Sequence, residues 1–147
     1  MNDFTRQYAP VIWVTLAYVC LYYLFLLNLL RTRLMLIKRC KDDGKPFRRY
    51  DDSYPELRAA DRTQLNMLEH MPTFLVVLWL QAFTVSANAA AICGGMYTLI
   101  RATYPFFMGA RLENKMPNRL FINTFAGYAV HFLMMGWIGY ELLSKTV

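Results

Sequence analysis

The chain has 147 residues, 56% of them hydrophobic and 16% aromatic, with a formal net charge of +6. It is more apolar than an average soluble domain of this size, which argues for an all-α integral membrane protein. The excess positive charge does not describe a nucleic-acid interface, because six acids (Asp42, Asp43, Asp51, Asp52, Glu56 and Asp61) are mixed with the cations that carry it.

The apolar residues fall into four membrane-length stretches, predicting a bundle of four transmembrane helices over 9–37, 62–86, 89–109 and 119–143. A hydrocarbon core about 30 Å thick takes about 20 helical residues. Together the helices and short loops make one domain, 1–147. The first stretch continues past Arg31 and Arg33. Only Arg6 precedes it, it is too long for a signal peptide and no small-residue cleavage site follows, so it reads as an uncleaved anchor.

Ten of the 16 Lys and Arg lie between Arg31 and Arg62. Arg111, Lys115 and Arg119 lie in the third connection, and Thr84–Ile100 has no charge. The positive-inside rule therefore puts the first and third connections in the cytosol and both termini on the opposite side. The basic loop also attracts anionic lipid headgroups. Cys20, Cys40 and Cys93 are an odd number without metal-ligand spacing, which predicts small buried hydrophobes, with Cys40 in the cytosolic loop, and no disulfide framework.

The second helix holds Glu69, the only acidic residue between Asp61 and Glu113. A carboxylate in such a segment faces a partner or a polar site rather than lipid. Arg62, Asn66 and Glu69 stand at i, i+4 and i+7, within roughly 60° of one another and about 10 Å from end to end. A cation, an amide and an anion in one stripe suit a zwitterionic small molecule such as a peptide. In the third helix, Arg101 and Glu69 are each about eight residues from the cytosolic face, roughly 12 Å deep, with Tyr104 one turn nearer the cytosol. Arg119 opens the fourth helix, which carries His131 deeper in.

Plainer roles exist for each residue taken singly. Arg62 and Arg119 suit snorkelling, Asn66 a helix–helix hydrogen bond, and Arg101 with Glu69 a structural ion pair. Tyr104 suits the aromatic belt, and His131 core packing. Their convergence in the cytosolic third of the bundle points instead to a functional polar site. It has no Ser-His-Asp set, paired carboxylates, metal ligands or Gly-rich phosphate loop. The chemistry left is anion binding and stabilisation of a thiolate by a neighbouring Arg.

The segment Arg62-x-x-x-Asn66-x-x-Glu69-x-x-Pro72-x-Phe74 resembles the second-helix signature of the MAPEG family, the membrane-associated proteins in eicosanoid and glutathione metabolism. Length, four helices, a basic first cytosolic loop and the Arg101–Tyr104 pair extend the resemblance over the whole chain. It implies a homotrimer with glutathione between adjacent subunits near the cytosolic face and no metal. It implies that Arg62, Asn66, Glu69, Arg101 and Tyr104 bind the tripeptide, with Gln64 and Arg31 supplied by a neighbouring subunit. His70, a further glutathione-binding candidate, stands where glutathione-conjugating members carry an aromatic residue. Arg119 best matches the Arg that activates the thiol, and Arg111 is the runner-up. Met108 replaces a second helix-three tyrosine, and Leu120 replaces a Ser found in an isomerase branch. The presence of Glu69 separates the chain from a non-catalytic branch that lacks it.

The expected activity is a glutathione S-transferase, with a possible peroxidase activity, acting on a lipophilic electrophile or lipid hydroperoxide that arrives from the bilayer. It would sit in the endoplasmic reticulum or another intracellular membrane (the inner membrane in a bacterium), its site facing the cytosol. A non-catalytic lipid-presenting protein is the alternative. A transporter would need polar groups through the full membrane depth, which the luminal half lacks.

Overall fold

The computed structural model describes residues 3–48, 53–108 and 118–146, the side chains of 118–120 excepted. Four helices follow in order: α1 (Asp3–Asp42), α2 (Pro55–Thr84), α3 (Ala87–Met108) and α4 (Asn118–Thr146).

Three boundaries differ by five residues or more from the sequence expectation. α1 begins at Asp3 rather than 9 and runs to Asp42 rather than 37, while α2 begins at Pro55 rather than 62. Both helices project past their apolar stretches, because local signals rather than hydropathy end them. Gly44 has φ +66°, the left-handed conformation that glycine adopts without strain. The Lys45 amide donates to the Cys40 carbonyl at 2.8 Å and the Gly44 amide to Lys41 at 3.1 Å, the two bonds of a Schellman cap. α2 opens on Pro55, whose missing N–H is unneeded in a first turn, and on Glu56, whose charge favours the helix N-terminus.

Cys40 accordingly lies on α1 rather than in a loop. It is buried, with Sγ 3.1 Å from the Tyr54 hydroxyl. Cys93 is buried, whereas Cys20 is exposed on α1 against the expectation of burial, because it falls on the outward face of a helix that packs on one side only. The projecting ends of α1 and α2 are tied by Arg33 to Asp61 at 3.2 Å and by Arg39 to Glu56 at 3.9 Å.

α1 packs on α2 and α3, and α4 packs on α3 and α2; among the described residues α1 and α4 do not touch. The core between them is aromatic. Phe74 stacks on Tyr97 at 4.3 Å between ring centroids and meets Tyr18 at 4.5 Å. Tyr18 donates its hydroxyl to the Met67 carbonyl at 3.4 Å, so the polar tip of a buried ring is satisfied. At the turn between α2 and α3, the Ala89 amide donates to Ser86 Oγ at 3.4 Å, a side-chain cap on the first turn of α3.

The outer surface is apolar: Phe106 is 84% exposed and Trp13 71%. Such a surface suits lipid rather than water. Two helical segments, Asp3–Asp42 and Phe121–Thr146, are long and apolar enough to cross a membrane. α2 and α3 do not reach that measure, short of the four expected. Their polar residues, Arg62, Asn66, Glu69 and His70 on α2 and Arg101 on α3, dilute the apolar content.

Three helices meet closely at Gly94. A Cβ there would lie 2.5 Å from Leu78 Cδ1 and 3.0 Å from Val14 Cγ1. Leu78 is fully buried, and Val14 is stiff about χ1. Gly94→Ala is therefore expected to destabilise the protein by about 1–3 kcal/mol through overpacking. Gly95→Ala, with nothing within 4 Å of its Cβ, should leave the thermal midpoint in detergent unchanged. Equal midpoints for the two variants would refute this account of the helix crossing.

Candidate functional site

α3 places Arg101 at the centre of the bundle, 1% exposed. Its Nη1 donates to Asn66 Oδ1 on α2 at 2.7 Å. Its Nη2 donates to the Tyr97 hydroxyl one turn back on α3 at 2.9 Å. On the third side is α4, where a Cβ at Gly127 would make ordinary van der Waals contact with the guanidinium, 3.5 Å from Nη2 and 3.6 Å from Cζ. Among the described residues no carboxylate pairs with Arg101, and Nε has no hydrogen-bond partner. A buried cation held only by neutral groups is costly at such a depth unless it serves a function.

Arg101 thus bonds to Asn66 and not to Glu69, so the structural ion pair that was the plainer role for those two residues is absent among the described residues. Asn66 and Glu69 differ by about 60° around the α2 axis. Asn66 is half-buried and turned inward, whereas Glu69 is exposed on the outer face of the chain. Among the described residues Glu69 makes no ion pair.

Arg62 shares the outer face with Glu69. Around them the surface is apolar: Leu65 is 37% exposed, Leu68 42% and Val76 58%. This places a cation and an anion, one turn each side of Asn66, in an apolar strip on the surface of a single chain. Arg31 is also exposed, on α1.

The other predicted residues lie elsewhere. Gln64 is buried, with Nε2 donating to the Tyr22 hydroxyl on α1 at 3.4 Å, on the opposite side of α2 from Arg62. His70 is half-buried, its ring 5.3 Å from Tyr128 on α4. Tyr104 is buried beside Met108, with Ala59 and Phe107 against them. His131 is 6.0 Å from the Tyr97 ring, and its buried Nδ1 has no partner among the described residues. The Arg119 backbone belongs to the first turn of α4; its side chain, and all of Arg111, lie outside the described residues.

Tyr97, Gly127 and Asn123 were missed from the sequence. Tyr97 had a legible signal, its i−4 spacing from Arg101 on one helix face. Asn123 on α4 donates to the Ile100 carbonyl at 3.0 Å and to Thr103 Oγ1 at 2.7 Å. It fixes α4 against α3 one turn before Gly127.

This arrangement offers an array of hydrogen-bond donors and acceptors around a buried cation. The leukotriene C4 synthases of Bos taurus, Cavia porcellus and Mus musculus are each 38% identical to this chain over 50 residues, 34% of this chain. The aligned stretch spans 33% of the length of each of those relatives. The MAPEG family profile matches residues 11–140, a span that enters all four helices, and the chain belongs to the MAPEG family.

Proposed function

We propose that the protein is a membrane-bound glutathione S-transferase that works as a homotrimer, with glutathione held between adjacent copies near the cytosolic face. The observation that carries this reading is the exposed face of α2. Arg62 and Glu69 lie there in an apolar strip, and in lipid neither charge is tolerable without a cover. A second copy of the chain supplies the cover, and a zwitterionic tripeptide supplies the counter-charges. Membership of the MAPEG family and the likeness to proteins named leukotriene C4 synthase support it further.

In this reading Glu69 accepts hydrogen bonds from the glutathione ammonium, and Arg62 with the neighbour's arginine at position 31 pairs with its carboxylates. Asn66 and Tyr104 complete the pocket wall. Gln64 and His70 contact the ligand only if the subunit interface draws them from their partners Tyr22 and Tyr128. Arg119 holds the sulfur as thiolate, which attacks the electrophilic carbon of an apolar acceptor entering from the bilayer. The bond to the leaving group breaks, or an epoxide opens and takes up a proton. With a lipid hydroperoxide the thiolate attacks the terminal oxygen instead, the O–O bond breaks and the lipid alkoxide leaves and takes up a proton, and a second glutathione then displaces water from the sulfenic acid to form the disulfide.

The test is the ultraviolet difference spectrum of the detergent-solubilised protein on adding glutathione. A thiolate band at neutral pH is expected. Calorimetric binding without that band would favour a lipid-presenting protein, and no binding at all would overturn the reading.

A further inference from the structure

The polarity of the Asn66 side chain is decided inside the bundle. A guanidinium has only N–H donors, so the amide atom facing Arg101 must be the oxygen. The 2.7 Å bond from Nη1 to Oδ1 therefore turns the Asn66 NH2 away from Arg101. Among the described residues that NH2 has no acceptor. Arg101 cannot readily yield, because Nη2 is bonded to Tyr97, α4 closes on it at Gly127, and the side chain is 1% exposed. A charge-assisted bond to Oδ1 also polarises the amide and strengthens its remaining donors.

Resting on the glutathione reading above, we infer that Arg101 is a positioning residue. It does not touch the ligand; it holds Asn66 so that position 66 presents donors to an acceptor oxygen of the tripeptide, a carboxylate or a peptide carbonyl. The uncompensated buried charge thus acts at one remove, and Tyr97, bonded to Nη2, is part of the same device.

Asn66→Asp separates the two faces of this side chain. Aspartate keeps an acceptor for Arg101, now as an ion pair, but replaces the outward donor with a carboxylate oxygen. The expected result is an assembled protein with an unchanged or raised thermal midpoint and glutathione affinity at least tenfold weaker by calorimetry. Affinity equal to or tighter than that of the unsubstituted protein would overturn the inference, and so would failure to assemble, since an aspartate seated on Arg101 should be accommodated.

A second measurement needs no glutathione. The midpoint advantage of Asn66→Asp over Asn66→Leu should be present with Arg101 and absent in the Arg101→Gln background. No such coupling sinks the inference alone. No glutathione binding by the unsubstituted protein sinks the transferase reading and, with it, the ligand half of this inference, while the coupling still decides whether Arg101 holds Asn66.

Discussion

Glu69→Gln is expected to weaken glutathione binding about a hundredfold while the protein keeps its fold and assembly. Glutamine matches glutamate in shape and removes only the charge. Losing one partner of a desolvated charge pair costs about 2–5 kcal/mol, and a hundredfold corresponds to about 2.7 kcal/mol. The fold should be spared because Glu69 makes no ion pair among the described residues and lies on the outer face of α2. Calorimetric titration with glutathione, alongside size-exclusion in the same detergent, checks both halves. Unchanged affinity would remove Glu69 from the site. Loss of assembly would show that its counter-charge belongs to a neighbouring copy rather than to the ligand.

Arg119→Ala is expected to act on the other term, chemistry without binding. A thiol of ordinary pKa, about 8.5, is only a few per cent ionised at neutral pH. A cation at the sulfur lowers that pKa by favouring the charged form. Removing one such electrostatic stabiliser typically lowers kcat by about 10²–10³-fold. Glutathione affinity should stay within about threefold, since the recognition groups on α2 are intact. The thiolate band should disappear at neutral pH and return as the pH is raised. The same pattern in Arg111→Ala, with Arg119→Ala silent, would reassign the role.

Segregation of apolar residues carried most of the fold. Four helices in the right order follow from four apolar stretches, since backbone polar groups in lipid must be satisfied within each segment. The ends of α1 and α2 were harder. Charged residues such as Lys38, Arg39 and Lys41 mark where the membrane stops, not where the helix does. The true stop, Gly44 followed by Lys45 and Pro46, was visible as local chemistry but lay outside the apolar pattern.

At the site, the i, i+4, i+7 spacing of Arg62, Asn66 and Glu69 located the polar stretch of α2. It did not tell which of them faces inward. The turn of about 60° that separates Asn66 from Glu69 depends on where α3 and α4 pack, which is long-range information. Gly127 was illegible for the same reason: an unremarkable small residue in α4 matters only because a guanidinium on another helix lies against it.

The way α4 joins the bundle bears on biogenesis. α1, α2 and α3 contact one another pairwise and form a closed set, while among the described residues α4 packs on α2 and α3 alone. Chains emerge from the ribosome N-terminus first, so the first three helices meet before the segment that covers Arg101 exists. Until Gly127 arrives, the guanidinium has one open flank. The three-helix intermediate therefore carries an incompletely shielded cation. α4 thus completes the shielding of that cation late in synthesis as well as walling the mature bundle.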